Sequence, residues 1–266
     1  MLGNGNEHFN NTKISIYDMA KIGIIGGSGL DDPNLLGNCR DIQIRTDYGL
    51  PSSDITVGRI GKHEIFIIAR HGKRHQITPS QVNYRANIQA LRQQGCEYIL
   101  ATTACGSLRE EIKRGDFVIP DQFIDFTRHR HVTFFDSFEQ GAKHTPMAEP
   151  FDSALRKALI DSAKELGINV HEKGTIITIE GPRFSTRAES NVFRQWNADV
   201  INMSIAPEAI LANELGIKYA AVAMSTDYDC WKHDEEPVTW QQILDVFGKN
   251  AENVKRVLLR AIEKIN

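Results

Sequence analysis

The chain has 266 residues, a formal net charge of −3 and 24% charged residues. This length allows one large domain or two small ones, and so small a net charge argues against nucleic acid or an anionic membrane surface as the main partner. No apolar run approaches the roughly 20 residues that span a bilayer. The four cysteines form no CxxC pair and have no metal-like spacing, which predicts reduced thiols and a cytoplasmic location.

The first 18 residues are polar and rich in asparagine, and they lack the apolar core of a signal peptide. We interpret 1–18 as a disordered extension and 19–266 as one domain, because no linker, repeat or shift in composition interrupts the remainder. Strand-like runs alternate there with helical patterns. This alternation predicts a single α/β domain with a mixed β-sheet flanked by helices.

The predicted elements follow from local patterns in chain order. Runs rich in β-formers predict strands at Ile22–Ile25, Ile55–Val57, Glu64–Ala69, Tyr98–Thr103, Phe117–Ile119, Phe123–Phe126, Thr175–Ile179, Val200–Met203 and Lys218–Ser225. Helical patterns predict helices at Gln81–Gln94, Phe151–Leu166, Ser185–Trp196 and Pro207–Leu215. A last long helix is expected after Thr239, which can cap it.

A glycine-rich loop, Gly26–Gly29, follows the first predicted strand. Such a loop lets backbone N–H groups approach an anion closely. The dinucleotide fingerprint is incomplete, because Asp32 stands where its last glycine should be and Pro33 follows. A Walker loop is absent as well. The loop is therefore either an ordinary tight turn or a site for a smaller anion, with the Ser28 hydroxyl as an extra donor.

Polar side chains follow two other predicted strands. Arg70 and His71 come directly after Glu64–Ala69, and Arg70 could hold a phosphate bidentately. The segment Thr102–Ser107 closes another strand with hydroxyl groups and a glycine. A strand-end Arg–His alone is more typical of a surface pair. Because α/β proteins bind ligands at the carboxyl ends of their strands, the three ends together indicate an anion site.

Two carboxylates, Asp227 and Asp229, lie just past an apolar strand near the C-terminus. This spacing indicates an acid–base or hydrogen-bonding role, or two solvated loop residues. It is weak as a metal site, because no nearby His/Asp set completes a coordination sphere. The run RHRH at Arg128–His131 is more typical of a surface loop than of a metal site.

Eight segments carry a family resemblance, in this order: IGIIGGSGL, RHG, NYRANI, TTACGSLREEIKRGDFVIPDQFID, HTPMAEPF, GTIITIEGPRFSTRAES, INMSIAPEAILANELGI and AMSTDYDCW. Together they resemble the trimeric purine nucleoside phosphorylase family, and within it the members that cleave 5′-methylthioadenosine. The resemblance runs from residue 21 to the chain end. It implies phosphorolysis to adenine and 5-methylthioribose 1-phosphate, a partly closed mixed sheet, a homotrimer, and inorganic phosphate as co-substrate with no metal or organic cofactor.

The resemblance also implies roles for individual residues. The expected phosphate ligands are Ser28, Arg70, His71, Thr103, the Ala104 backbone N–H and Ser204, where the family commonly has threonine. The expected nucleoside contacts are Phe184 and Ser185 at the base, Met203 at the ribose, His75, Trp240, Ile243 and Leu244 around the 5′ group, and His144 from a neighbouring subunit.

The acidic pair is expected to act on the purine. Asp227 is the candidate donor of a proton to N7, with a pKa raised by partial burial beside Asp229. One or both carboxylates would accept from the 6-amino group, whereas a 6-oxopurine enzyme would want asparagine there.

Two departures and three alternatives stay open. Trp240 is bulkier than the small aliphatic residue expected from the family, and the sequence stops at Asn266 without the C-terminal extension of some relatives, so tolerance for other 5′ groups is open. The alternatives are a 6-oxopurine nucleoside phosphorylase, a non-catalytic nucleoside-binding protein of the same fold, and a dinucleotide oxidoreductase. The acidic pair argues against a 6-oxopurine enzyme. The complete set of site residues argues against a non-catalytic binding protein. The missing last glycine argues against a dinucleotide oxidoreductase.

Overall fold

The structure is a computed structural model that describes residues 19–26, 36–139, 141–234 and 239–265. The predicted extension 1–18 and Ser28 of the glycine-rich loop lie outside the described residues. The described strands are β1 (Lys21–Gly26), β2 (Gly37–Ile42), β3 (Ile55–Ile60), β4 (His63–Ala69), β5 (Tyr98–Ser107), β6 (Phe117–Val118), β7 (Gln122–Phe126), β8 (Val170–His171), β9 (Thr175–Ile179), β10 (Val200–Asn202) and β11 (Lys218–Asp227). The helices are α1 (Tyr84–Gln93), α2 (Ser153–Glu165), α3 (Arg187–Gln195), α4 (Ile205–Glu214) and α5 (Trp240–Ile262), with a short 3-10 helix at Pro79–Gln81.

The described strands form one mixed sheet in the order β2-β3-β4-β1-β5-β10-β9-β7. The sheet branches at β5, which pairs with β1, β10 and β11, and β11 continues to β6 and β8. Strands β4, β1, β5 and β11 run parallel, so their carboxyl ends lie at the same edge. The predicted single α/β domain with a mixed sheet flanked by helices is confirmed.

Helices cover both faces of this sheet. Successive residues of a strand point to opposite faces, and β1 follows this rule: Ile25 packs into the layer that contains α1 and α4, and Ile24 packs into the layer that contains α2 and α5. On β5, Ile99 and Leu100 divide between the layers in the same way. Each such side chain contributes about 1.5–3 kcal/mol when buried, so the strands that carry the site rest on a core packed from both sides.

The predicted strands and helices are confirmed, but two strands were missed. The sequence of β2, GNCRDI, lacks β-branched residues until its last position and carries two charges, so propensity does not indicate a strand. It pairs with β3 at the end of the sheet, where polar residues are common. The strand β8 has only two residues and gives no pattern to detect.

Helix boundaries differ from the predictions because caps decide where helices begin. Helix α1 begins at Tyr84, three residues later than predicted, since the Asn83 side chain accepts from Ala86 N and caps it. Helix α3 begins at Arg187, because Thr186 and Glu189 form a reciprocal capping box. No helix in the described part of the chain is both long and apolar enough to cross a bilayer.

Candidate active site

A cavity of about 450 Å³ lies at the carboxyl ends of β4, β5, β9, β10 and β11, with α5 along one side. Strand ends of an α/β sheet are a common place for ligands. Most of the predicted site residues line this cavity: Arg70, His71, His75, Thr103, Ala104, Phe184, Ser185, Met203, Ser204, Asp227, Asp229, Ile243 and Leu244. The structure thus brings together residues that are spread over more than half of the chain.

Three predicted site residues are not seen in the cavity wall. Ser28 lies outside the described residues. Trp240 is the first residue of α5, and its side chain is outside the described part. His144 is exposed and contacts the Phe138 ring at 5.4 Å between centroids, so within one chain it does not reach the cavity. Its predicted role across a subunit interface stays a prediction.

Arg70 is a fully buried charge at the end of β4, and Glu208 of α4 pairs with it. Nε donates to Glu208 Oε1 at 2.5 Å, and Nη2 donates to Glu208 Oε2 at 3.0 Å and to the Ile25 carbonyl at 3.4 Å. Nη1 donates to the Thr102 carbonyl at 2.8 Å. The predicted bidentate grip on phosphate is wrong, because the guanidinium fork already holds Glu208. Among the described residues, one of its five N–H groups, on Nη1, makes no hydrogen bond and can donate to a ligand.

The Arg70–Glu208 pair extends to Tyr219 on β11, whose hydroxyl donates to Glu208 Oε2 at 2.8 Å. Burial alone would lower the pKa of Arg70, but the Glu208 carboxylate raises it well above its ordinary value. Burial raises the pKa of Tyr219, so the phenol stays protonated and continues to donate. Arg70 therefore carries a permanent positive charge whose orientation is fixed by an anion inside the protein.

Two histidines follow Arg70 and line the same end of the cavity. Burial, reinforced by the positive charge of Arg70, lowers the pKa of His71 to about 4. The neutral ring donates from Nδ1 to the Ile77 carbonyl at 2.9 Å, which assigns its tautomer. The His75 ring lies 4.7 Å from that of His71, and its backbone has φ of 54°, which is unusual for a residue with a side chain.

The N-terminus of α4 faces the cavity through Ser204, which is 4% exposed. Its hydroxyl makes no capping bond to the helix and is available to a ligand. The neighbouring Asn202 is oriented by Thr178, whose Oγ1 donates to Asn202 Oδ1 at 2.8 Å. Asn202 Nδ2 has no hydrogen-bond partner among the described residues, although it is buried beside the cavity. A helix N-terminus with free donors is suited to an anion.

Asp227 and Asp229 form the acidic part of the cavity wall, and both are 7% exposed. Asp227 Oδ1 accepts from the Asp229 backbone N–H at 2.8 Å, and Oδ2 accepts from Thr226 Oγ1 at 2.7 Å. Asp229 has φ of 50°, a backbone region that residues with side chains rarely adopt. The pair is therefore a built feature of the cavity and not two solvated loop residues.

Burial raises the pKa of Asp227 to about 6, and its two hydrogen bonds oppose this rise. Burial also raises the pKa of Asp229, while the nearby Ser190 hydroxyl acts in the opposite direction. An acid with a pKa close to neutrality can both hold and release a proton under ordinary conditions. The raised pKa expected for Asp227 is thus present, with burial as its main cause.

A β-bulge in β11 sets the position of Asp227. Ser225 pairs with Cys105 of β5, but Asp227 pairs with the next residue, Gly106, so Thr226 is an extra residue in the ladder. Bulges of this kind redirect side chains next to active sites. Gly106 is required opposite, since a Cβ atom at that position would lie 2.9 Å from Asp227 Oδ1.

A further part of the cavity wall is apolar. Ile243, Leu244 and Phe247 come from one side of α5, and Ile77 comes from the segment after β4. Phe247 lies one helical turn beyond Ile243 and was not among the predicted site residues. A wall of this kind suits an apolar substituent of a ligand.

Sequence reasoning also missed Glu208, Asn202 and Thr226. Thr226 and Asn202 stand next to predicted residues, so adjacency was an available signal. Glu208 is 138 residues from Arg70, and no local pattern links them.

Elsewhere, Arg130 departs from the surface loop predicted for RHRH: its side chain is 1% exposed and pairs with Glu180 at 2.7 Å. The other three residues of that run are exposed. No group of three potential metal ligands occurs within the described ranges.

The fold and cavity define a phosphorylase-type protein, and the sequence profile of the phosphorylase superfamily matches residues 21–263. The chain belongs to this superfamily. It is 55% identical to S-methyl-5′-thioadenosine phosphorylase of Xenopus tropicalis over 92% of this chain and 89% of that protein. It is 52% identical to the enzyme of the same name from Danio rerio, with the same coverage.

Solved structures give a similar result. Methylthioadenosine phosphorylase from Schistosoma mansoni in complex with adenine is 43% identical and superposes with a TM-score of 0.87, covering 92% of this chain and 91% of that chain. A variant of the Schistosoma mansoni enzyme in complex with methylthioadenosine has a TM-score of 0.86 at 43% identity, with the same coverage. The resemblance inferred from the sequence is therefore confirmed.

Proposed function

We propose that this chain catalyses phosphorolysis of 5′-methylthioadenosine, which yields adenine and 5-methylthioribose 1-phosphate. One observation carries the proposal: a single cavity is lined by a buried cation with hydroxyl donors, by a buried acidic pair and by an apolar wall. These three sets match the phosphate, the adenine ring and the methylthio group. The relatives described above are named for this activity, which supports the same assignment.

At the phosphate end, Arg70 supplies positive charge, and Ser204 and the Ala104 backbone N–H supply donors. The Thr103 hydroxyl donates to the Ala104 carbonyl at 2.9 Å in the structure and must turn away from it to donate to phosphate. Glu208 already balances the charge of Arg70, so hydrogen bonds and the N-terminus of α4 must stabilise much of the phosphate dianion. A phosphate oxygen placed beside C1′ forms the new C–O bond as the bond from C1′ to N9 breaks. Fixed donors hold that oxygen in position for attack.

At the purine end, the electron pair of the breaking bond passes to the ring, and protonation at N7 makes adenine a better leaving group. Asp227 supplies this proton or shares it through a hydrogen bond, and Asp229 accepts from the 6-amino group. A carboxylate would repel the O6 atom of a 6-oxopurine, so the acidic pair favours adenine nucleosides. Phe184 and Ser185 are the proposed contacts to the base, and Met203 is the proposed contact to the ribose.

At the 5′ end, Ile243, Leu244 and Phe247 form an apolar surface for the methylthio group. His75 lines the same cavity, and burial together with the charge of Arg70 lowers its pKa, which favours the neutral ring. Removing a methylthio group from water onto such a surface is favourable, whereas a 5′-hydroxyl loses hydrogen bonds to water. The pocket therefore favours methylthioadenosine over adenosine.

The proposal includes the expected setting of the enzyme. Residues 19–266 form one nucleoside phosphorylase domain that assembles as a homotrimer, with His144 of a neighbouring subunit completing the site. The enzyme needs inorganic phosphate but no metal or organic cofactor, and it has no nucleic-acid or membrane partner. It acts in the cytoplasm, in the salvage of methylthioadenosine and purines.

The test is adenine release from methylthioadenosine with and without phosphate, beside adenosine and inosine. We expect phosphate-dependent release that is fastest with methylthioadenosine. Faster cleavage of inosine would keep the phosphate site and refute the role given to Asp227 and Asp229. Binding without cleavage of any nucleoside would refute catalysis and favour a nucleoside-binding protein. Saturable binding of NADH would instead reopen the dinucleotide alternative.

A further inference from the structure

The Thr226 hydroxyl lies between two acceptors next to the acidic pair. Its Oγ1 is 2.7 Å from Asp227 Oδ2 and 3.2 Å from the Cys105 carbonyl oxygen. Thr226 is 2% exposed. A hydroxyl has one proton and can donate it fully to only one acceptor at a time. Which acceptor receives the proton depends on whether Asp227 is ionised or protonated.

The bulge in β11 is what allows this contact. In a regular strand, consecutive side chains point to opposite faces, so Thr226 and Asp227 would face away from each other. Because Thr226 is the extra residue of the bulge, its hydroxyl and the next carboxyl group lie side by side. The contact is thus a consequence of one irregularity in the ladder.

The two protonation states of Asp227 require opposite roles from its neighbour. An ionised carboxylate only accepts hydrogen bonds, and Thr226 then donates to Oδ2. A neutral carboxyl group that carries its proton on Oδ2 must donate, and Thr226 then accepts. In that state the Thr226 proton is free to turn to the Cys105 carbonyl, so no buried group is left without a partner.

We propose that Thr226 is a positioning residue that exchanges its acceptor, from Asp227 Oδ2 to the Cys105 carbonyl, when Asp227 takes up a proton. The catalytic part of this proposal rests on the proposed function. There, a purine nitrogen replaces Thr226 as the acceptor of the carboxyl proton. Once the proton has moved to nitrogen, the hydroxyl turns back and donates to the carboxylate that remains. The turn stabilises negative charge as it develops.

Among the described residues, three other ionisable groups interact with Asp227. Asp229 raises its pKa and Arg114 lowers it. Burial raises the pKa of the Cys105 thiol well above its ordinary value, which keeps that thiol neutral. Asp229 also titrates, so any measured transition must be assigned to Asp227 with Asp227→Asn.

The sequence offers a selective probe. Cys105–Gly106 is the only Cys–Gly peptide in the chain, so labelling cysteine with ¹³C at the carbonyl and glycine with ¹⁵N isolates this carbonyl in an NMR spectrum. In the ligand-free protein, we expect its resonance to move with pH at the midpoint of Asp227. The movement should disappear in Thr226→Val and in Asp227→Asn and return in Thr226→Ser.

Two controls make the test decisive. Ser225→Ala removes the adjacent buried hydroxyl, which has no partner among the described residues, and should leave the titration unchanged. Thermal unfolding checks that each variant is folded. A Cys105 carbonyl resonance that does not move with pH in the wild type would overturn the proposal. So would a resonance that moves with pH in Thr226→Val as it does in the wild type. The titration needs no substrate, so it remains interpretable if the wild type fails to cleave methylthioadenosine.

Catalysis supplies a second measurement. Thr226→Val removes a donor to the ionised carboxylate, so the pKa of Asp227 should rise. In the pH–rate profile with methylthioadenosine, the alkaline limb should therefore move to higher pH by about one pH unit. Thr226→Ser should restore the wild-type profile. Equal profiles for wild type and Thr226→Val would overturn the catalytic role.

Discussion

The cavity has two buried ionisable ends that differ in whether a neighbouring group stabilises the charged form. At the phosphate end, Arg70 faces the carboxylate of Glu208, and its pKa is raised, so its charge is permanent. At the purine end, Asp227 faces a second acid, Asp229, and burial raises its pKa to about 6. The charge of Arg70 is balanced by an opposite charge, whereas the charge of Asp227 lies beside one of the same sign.

This difference separates two uses of a buried ionisable group. A matched charge such as Arg70 keeps its position and its ionisation over the whole pH range, which suits the binding of a phosphate. An acid without a counter-charge, such as Asp227, is less stable as a buried anion than as a neutral group. Its pKa therefore rises toward neutrality, which suits proton transfer. Removing the charge of Glu208 should therefore destabilise the protein, and removing the charge of Asp227 should stabilise it.

The largest effect is expected for Glu208→Gln. This change leaves the Arg70 charge buried without a counter-ion and should lower the free energy of unfolding by about 3–5 kcal/mol. Urea denaturation at fixed protein concentration measures it. The double variant Arg70→Met/Glu208→Leu removes both charges and should recover much of the loss. A loss below about 1 kcal/mol would mean that Glu208 is not what compensates Arg70.

Asp227→Asn should lower turnover of methylthioadenosine by on the order of a hundredfold or more, because asparagine cannot supply a proton. Steady-state adenine release measures the loss. Asp125→Asn, an exposed change on β7, is the matched control and should retain full activity. Unchanged turnover in Asp227→Asn would remove this carboxylate from the mechanism.

The same substitution should stabilise the protein at neutral pH. The unfolded carboxyl group titrates near pH 4 and the folded one near pH 6, so the folded state binds more protons in this window. The free energy of unfolding therefore falls as pH rises from about 4 to 6. Asparagine removes this dependence and should add about 1–3 kcal/mol at pH 7.5. Asp227→Asn and wild type should have similar stability near pH 4, and an equal difference at both pH values would contradict this explanation.

The smallest effect is expected for Tyr219→Phe. It removes the hydroxyl that donates to Glu208 Oε2, while Arg70 still holds both carboxylate oxygens. The loss in the free energy of unfolding should be about 1 kcal/mol. A loss as large as that of Glu208→Gln would show that the phenol, and not the ion pair alone, keeps the phosphate end together.

Local patterns predicted most strands and helices, because apolar periodicity and cap residues are written in neighbouring positions. They failed for β2, whose polar sequence forms a strand through its pairing with β3. They also misplaced the start of α3, where the reciprocal bonds of Thr186 and Glu189 decide the boundary. The pairing of β2 with β3 is tertiary, so a short window does not contain it, whereas the capping box of α3 was a local signal that the prediction overlooked.

The cavity was predictable where the residues stand at strand ends, as with Asp227 and Ser204. The orientation of Arg70 was not predictable, because its partner comes from a helix more than a hundred residues away. The contact between Thr226 and Asp227 depends on a register shift between β5 and β11, and alternation alone predicts that these side chains diverge. Long-range charge pairs and irregularities in strand pairing become visible only in the folded structure.

The extra residue in β11 matters when this chain is aligned with others of its fold. Deleting position 226 would let β11 continue as a regular ladder with Asp227 still opposite Gly106. The cavity wall would keep its carboxyl group but lose the hydroxyl that donates to it. An alignment gap of one position here therefore has a larger meaning than a substitution. Chains of this fold that lack the extra residue should be expected to hold the group that faces the base without this neighbouring hydroxyl.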